Sequence, residues 1–243
     1  MIKQALQYII SLQKEPYIKE INGNTYTDTD LHRINYNPKA EPLTMSTLTS
    51  FVDYIKGNID TMAPKMIIEA SSPTNVKLYS QLDSDRKRET LVNVTASIPV
   101  FNFGEFQNKE NFIIGIQANF PDDDATDKSL VLKFAGTVEI NSVAEYGDDG
   151  VSQKASIKTG IASKSDAKVP NPVTLKPYRT FIEVEQPKSS FIFRLKESKY
   201  EDGVRCALFE ADGGAWKNEA VKNIKEYLER ELTEYREQFL IIS

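Results

Sequence analysis

Val169-Pro170-Asn171-Pro172-Val173 runs into Pro177-Tyr178-Arg179-Thr180-Phe181, then Glu185-Gln186-Pro187, two apolar runs, and Phe209-Glu210-Ala211-Asp212-Gly213-Gly214-Ala215-Trp216. Prolines set between β-branched and aromatic runs mark short strands and turns. The glycine pair then opens a long amphipathic stretch in which Ala220, Val221, Ile224, Leu228, Leu232 and Tyr235 recur every three or four residues. That spacing predicts a helix from Ala215 to about Gln238. Lys222 with Glu226, Lys225 with Glu229 and Arg230 with Glu234 are set to pair on its outer face, each worth a few tenths of a kcal/mol, ~0.3. Nothing in the stretch has the pattern of a catalytic motif.

Working outward, strands are expected at Ala155–Ile161, Arg179–Val184, Phe191–Leu195 and Val204–Glu210. Leu130–Ile140 also reads as strand, from the alternation of Leu130, Leu132 and Phe134. Phe112–Phe120 is compatible with a strand or a short helix, and Phe101–Phe106 has no clear assignment. Further upstream, Met66–Ala70, Asn75–Tyr79 and Thr90–Thr95 read as half-buried strands, with Asp83-Ser84-Asp85-Arg86 as a turn. Ser46–Ile59 reads as a helix capped by Thr44 or Ser46, with Leu48, Phe51, Val52 and Ile55 on one face. Ile2–Leu12 forms another apolar stripe, and Asn22-Gly23 between Tyr17–Ile21 and Thr25–Thr27 is a hairpin signal. Asn35–Pro42 reads as a loop. The expected fold is α+β: a mixed or antiparallel sheet core, an N-terminal helical and hairpin part, and a long C-terminal amphipathic helix. One domain over 1–243 accommodates it, with 1–62 as a candidate subdomain.

The chain has 243 residues, 40% hydrophobic and 27% charged, a balance that excludes collagen, wholesale disorder and a disulfide scaffold. Its single cysteine, Cys206, excludes an internal disulfide and a Cys-rich metal site. The start at Met1-Ile2-Lys3-Gln4-Ala5 does not read as a signal peptide, and no apolar run is long enough to span a bilayer. A cytoplasmic protein that does not engage membranes is therefore the expectation. The net charge of −5 runs against nucleic acid as the main partner. With one histidine, His32, the chain is poorly equipped for imidazole-based metal or acid–base sites.

Several groups nevertheless carry candidate chemistry. Asp122-Asp123-Asp124-Ala125-Thr126-Asp127 clusters oxygen ligands suited to a hard cation, but it lacks the glycine and closing glutamate of an EF-hand, and a solvated acidic turn explains it. Asp148-Asp149-Gly150 reads as turn chemistry in the same way. Gly213-Gly214 stands at a strand-to-helix junction without the Walker lysine or a dinucleotide fingerprint, and Asp212 suits a helix cap better than an anion site. His32 near Asp28 and Asp30 has no accompanying nucleophile motif. Cys206 lies inside an apolar strand and reads as a small core residue. Arg86, Lys87 and Arg88, with Tyr79 and Phe101 nearby, are the candidate nucleic-acid contact. Arg179 and Arg194, with Glu183 and Glu185 close in sequence, are suited to cross-strand ion pairs or to bidentate binding of a carboxylate or phosphate ligand. Phe239, Leu240, Ile241 and Ile242 form an apolar tail that needs burial, either as a strand of its own sheet or against a neighbouring subunit. No metal or cofactor is expected.

The segments Asp148–Gln153, Pro170-Asn171-Pro172, Pro177–Phe181, Glu185-Gln186-Pro187 and Glu210–Gly214 together resemble an uncharacterised family from phages and prophages typified by the YfdQ proteins. The resemblance covers mainly the C-terminal ~100 residues, with a weaker match over Leu48–Ile59. It implies a phage or prophage product and carries over no functional site. The leading expectation is a non-enzymatic binding or assembly protein, acting as a homo-oligomer or on a host protein such as a defence system. The alternatives are an accessory factor in phage DNA replication or recombination, a nucleotide-sequestering protein, and a metal-dependent hydrolase.

Overall fold

The computed structural model describes residues 2–12, 18–21, 24–27, 39–84, 86–144, 154–158, 164–197 and 203–243. His32, Asp28, Asp30, the Asn22-Gly23 turn and Asp148-Asp149-Gly150 lie outside them. The chain divides into two compact units, Met1–Lys39 and Ala40–Ser243. The first contains helix α1 (Ile2–Leu12) and strands β1 (Ile18–Ile21) and β2 (Asn24–Thr27), which pair antiparallel from Ile18↔Thr27 to Ile21↔Asn24. The Asn-Gly hairpin signal thus reports a real pairing.

The second unit is α+β and has two helix-on-sheet layers. In chain order it contains β3 (Leu43–Met45), α2 (Leu48–Gly57), β4 (Met66–Ser72), β5 (Asn75–Tyr79), β6 (Thr90–Thr95), β7 (Gln107–Asn108), α3 (Lys109–Asn119), α4 (Lys128–Thr137) and β8 (Val138–Ala144). There follow β9 (Lys154–Lys158), β10 (Lys164–Lys168), β11 (Val173–Leu175), β12 (Ser189–Glu197), β13 (Val204–Glu210), α5 (Ala215–Glu231) and β14 (Phe239–Ile242). A mixed five-stranded sheet has the order β14-β4-β5-β6-β3, with its two edge strands parallel to their neighbours. Along β4 to β6 every second residue is buried, including Ile68, Ala70, Val76, Leu78, Val92 and Val94. These meet Leu48, Phe51 and Ile55 of α2 and Ile224 and Leu228 of α5, so both helices cover one sheet face. Full burial of each Val, Leu, Ile or Phe side chain among these contributes about 1.5–3 kcal/mol before entropy.

The α2 cap is Thr47, one residue beyond Ser46 and three beyond Thr44; its hydroxyl accepts the Ser50 N–H at 3.2 Å. On α5, Lys222 reaches Glu226 at 3.7 Å as expected, whereas Arg230 Nε turns to Glu231 at 3.3 Å. That helix ends at Glu231, followed by a 3-10 turn at Thr233–Tyr235.

The second layer is the antiparallel sheet β11-β12-β13-β7, covered by α3 and α4. Its core is rich in phenylalanine: Phe112 stacks on Phe193 and Phe103 on Phe191. A three-stranded antiparallel sheet, β10-β9-β8, follows α4. Two segments depart from the expected strands. Residues 128–137 are helical, and strand begins only at Val138. The buried set is Val131, Phe134, Ala135 and Val138, a three- and four-residue rhythm, while Leu130 is 47% exposed. The alternation that suggested a strand was incidental. Arg179–Val184 forms no strand either: Phe181 and Val184 are buried three residues apart, and Ile182 between them is 76% exposed. The ambiguous Phe112–Phe120 run is α3, which Asn108 caps by accepting the Asn111 N–H at 2.8 Å.

Candidate functional site

The loop from Pro177 to Gln186 has no ladder to satisfy its backbone, so a buried side chain does the work. Gln186 Oε1 accepts the N–H groups of Arg179 and Thr180, at 3.0 and 3.2 Å. Its Nε2 donates to the carbonyls of Phe181 and Val184, at 2.9 and 3.2 Å. Every hydrogen-bonding position of the amide plane is used, which fixes the loop and with it the direction of Arg179. From there Phe181 and Val184 plug into the first core, and Thr180 Oγ1 donates to the Pro73 carbonyl in the β4–β5 turn. Tyr178 N–H donates to the Asn119 carbonyl at the end of α3, at 2.9 Å. One irregular segment thus clamps the two layers together.

Arg179 is 5% exposed. Its guanidinium carbon lies 4.0 Å from the Trp216 ring centroid, 5.5 Å from Phe191 and 5.8 Å from Phe103. Nη1 donates to Glu210 Oε1 at 2.6 Å, and Nη2 donates to the Ser189 hydroxyl. Burial lowers its pKa, and Glu210 and Asp212 oppose that by favouring the charged form. An arginine stays protonated in such a setting, so this is an aromatic-boxed cation neutralised by carboxylates. Asp212 anchors the other side, accepting the Gly214 N–H at 3.0 Å where the chain turns into α5 through Gly213 and Gly214, both at positive φ. Burial would raise the Asp212 carboxyl, but Ser189, the N–H groups of Gly214 and Trp216, and Arg179 together hold it below its ordinary value.

Beside Arg179 is a cavity of about 500 Å3, walled by the β4–β5 turn, Ile98–Phe103, Pro177–Arg179 and the first turn of α5 with Trp216 and Lys217. Phe101 closes its back by packing on α3 at Gly115, where a Cβ would come within 3.0 Å of the ring. The unassigned Phe101–Phe106 run is therefore the aromatic wall between the cavity and the second core. Sequence reasoning singled out Arg179 but missed Trp216, Phe103, Ser189 and Gln186 as its partners. Pro177–Phe181 supplies the arginine, Glu210–Gly214 its carboxylates and Glu185–Pro187 the glutamine that fixes its backbone, so three of the quoted stretches meet at one place.

Arg194 does not join this site. It alternates with the buried Phe193 and Leu195 on β12 and so faces the other side of the sheet from Phe191. Glu183 accepts the Thr49 N–H at the start of α2, at 3.2 Å, and Glu185 pairs with Lys176. Neither reaches the two arginines as a cross-strand pair.

Arg86, Lys87 and Arg88 form the β5–β6 turn. Asp83 Oδ1 accepts the Lys87 N–H at 2.8 Å, and the Arg88 guanidinium donates to its own hairpin at the Ser80 carbonyl, 3.0 Å away. Three of the four carboxylates of the acidic loop are engaged by lysines and backbone: Asp122 with Lys128 at 2.7 Å, Asp123 with Lys176 at 3.4 Å, and Asp127 with the Thr174 N–H at 2.7 Å. No cluster of His, Cys, Asp and Glu among the described residues has the arrangement of a metal site. Cys206 is fully buried on β13, and desolvation pushes its thiol up to about 12, the opposite of a reactive cysteine.

The tail Phe239–Ile242 forms β14, parallel to β4 with Phe239↔Met66 and Ile241↔Ile68. Phe239 enters the core, whereas Leu240 and Ile242 are 61% and 39% exposed. No helix among the described residues is long and apolar enough to cross a membrane. No family model matches the chain, and no curated protein or solved structure matches it either.

Proposed function

We propose that the protein works by binding rather than by chemistry, and that it assembles with a second copy of itself along β14. The observation that carries this reading is the contrast between the two edges of the five-stranded sheet. At one edge, β3 is three residues long and is entered through Glu41-Pro42, a charge and a proline of the kind that discourage strand addition. At the other edge, β14 is Phe-Leu-Ile-Ile, with neither charge nor proline, and exposed apolar side chains alternate along it. Among the described residues no strand covers its outer side.

A copy of β14 related by a two-fold axis suits this edge. Antiparallel pairing satisfies the open backbone groups of both strands and places only apolar side chains opposite one another. A hollow of about 380 Å3 beside it, bordered by Tyr235, Arg236 and Leu240, gives room for a partner side chain. Edge chemistry and self-complementarity support this pairing, in which the tail is both a strand of its own sheet and an interface.

Mass by light scattering during size-exclusion chromatography, at two protein and two salt concentrations, tests it. The expected species has twice the 27.5 kDa of the chain and is indifferent to salt, because the contact is apolar. A monomer at every concentration would overturn the assembly reading.

A further inference from the structure

The cavity beside Arg179 is separate from the β14 edge and has its own chemistry. Its walls are mainly apolar and aromatic, with Ile98, Pro99, Val100, Phe101, Phe103 and Trp216 contributing. Its volume of about 500 Å3 falls within the ordinary range for small-molecule sites, about 300–1,000 Å3. The rim is apolar as well: Ile98 and Val100 are exposed.

The polar groups show what kind of molecule would complement this hollow. Arg179 and Glu210 neutralise one another across 2.6 Å. Lys217, at the rim, has no carboxylate partner among the described residues, and its ammonium lies 5.9 Å from the Trp216 centroid. Arg179 Nε and Trp216 Nε1 are buried without a partner and do not open onto the hollow. Among the lining residues Glu210 is the one carboxylate and Arg179 takes it up, so Lys217 is the charge left to meet an occupant. An apolar occupant would leave that charge without a partner. An occupant with a flat apolar body and one anionic, acceptor-rich end would answer both the aromatic walls and the unpaired positive charge.

We propose that this cavity is a binding site for a small aromatic carboxylate, its ring set among Phe101, Phe103 and Trp216 and its acid group turned toward Lys217. The ring gains from burial and from stacking on the indole, while the carboxylate keeps contact with solvent at the rim and so avoids most of the desolvation penalty. The walls are pre-formed, because the Gln186-fastened loop, the Arg179 box and Phe101 on Gly115 hold them without a ligand.

The probes are naphthoate and its neutral counterpart naphthylmethanol, titrated into the full chain by calorimetry. Naphthoate is expected to saturate one site per chain and to bind about tenfold more tightly than the alcohol, the difference of one charge-assisted contact. Lys217→Glu, an exposed change outside the core, is expected to lower the affinity for naphthoate at least about tenfold more than it lowers that for the alcohol. Val100→Asp at the rim should weaken naphthoate further by the same charge logic. Absence of saturable heat with naphthoate would overturn the proposal. So would equal affinity for acid and alcohol, or an affinity for naphthoate that Lys217→Glu leaves unchanged. The oligomeric state, read on the same samples, reports on the β14 edge independently.

Discussion

Two places in the larger unit break the rule that apolar groups face inward and charges outward, and they break it in opposite ways. At β14, Leu240 and Ile242 stand in solvent at the side of a sheet, held by one neighbouring strand and the end of α5. At the cavity, Arg179 stands inside, touched by β12, β13, the start of α5 and the Phe101–Phe106 segment together. The first departure is weakly coupled, so its side chains are free to change partner. The second is coupled to both layers, so it cannot change without moving them. An exposed apolar edge is a surface waiting for company; a buried, paired cation is a fastening, and the hollow beside it inherits its rigidity.

The largest effect expected from this contrast is at Arg179. Arg179→Ala removes the cation from three aromatic faces and leaves Glu210 and Ser189 without their partner. Breaking a buried pair in this way costs about 3–5 kcal/mol, and the value here is about 3 kcal/mol because Glu210 is partly exposed and can turn to water. Arg179→Met keeps most of the volume and packing, and should cost less than Arg179→Ala. Urea midpoints of the two variants measure the difference. Equal losses would mean that the charge, and not the stacking, carries the fastening.

The strands that were legible in the sequence are those in which one face is core and the other is not: Val76 with Leu78, and Val92 with Val94, announce their period directly. Helix α5 was legible for the same reason at a period near 3.6. Helix α4 was not, because Leu130 and Leu132 mimic a strand while burial follows Val131, Phe134, Ala135 and Val138. The loop at Arg179–Val184 has the β-branched and aromatic residues of a strand, but the side chain of Gln186, not a ladder, holds its backbone. Arg179 stood out from its local setting, but Glu210 lies 31 residues away and Trp216 further still. Nothing local links them; only the antiparallel return of β12 into β13 does. The tail was legible as an apolar strand needing burial, though its parallel register on Met66–Glu69 is a product of where α5 ends.

A second, smaller effect concerns acid. Asp212 and Asp123 both titrate below the ordinary carboxyl value of 3.8. For Asp123 the main cause is the Ala125 N–H, followed, against a burial effect that raises it, by Lys176 and Lys188. The unfolded chain therefore takes up protons at these positions at a higher pH than the native one. Stability from them is fully present well above 3.8 and drains away as the pH falls below it toward the native values. Asp212→Asn keeps an acceptor for the Gly214 N–H but removes the titration. Its urea midpoint should fall less steeply than that of the unsubstituted chain between about pH 4 and pH 2. An acid limb that stays parallel to the unsubstituted one would mean that Asp212 acts only as a turn residue.

The smallest effect on stability is expected where the effect on assembly is greatest. Leu240→Lys exchanges an exposed apolar side chain for a charge on the outward side of β14, away from Phe239 and Ile241. Surface changes of this kind usually move folding stability by no more than about 0.5 kcal/mol. In a two-fold strand pairing, however, each lysine would face the other copy's strand, and a charge on an edge is the ordinary guard against strand addition. The variant should therefore unfold at nearly the same urea concentration as the unsubstituted monomer while running as a monomer at concentrations where the unsubstituted chain is a dimer. A dimer that survives Leu240→Lys would move the interface away from this edge. A monomer that is also strongly destabilised would show that β14 is as firmly coupled to its core as Arg179 is, and the contrast between the two regions would fail.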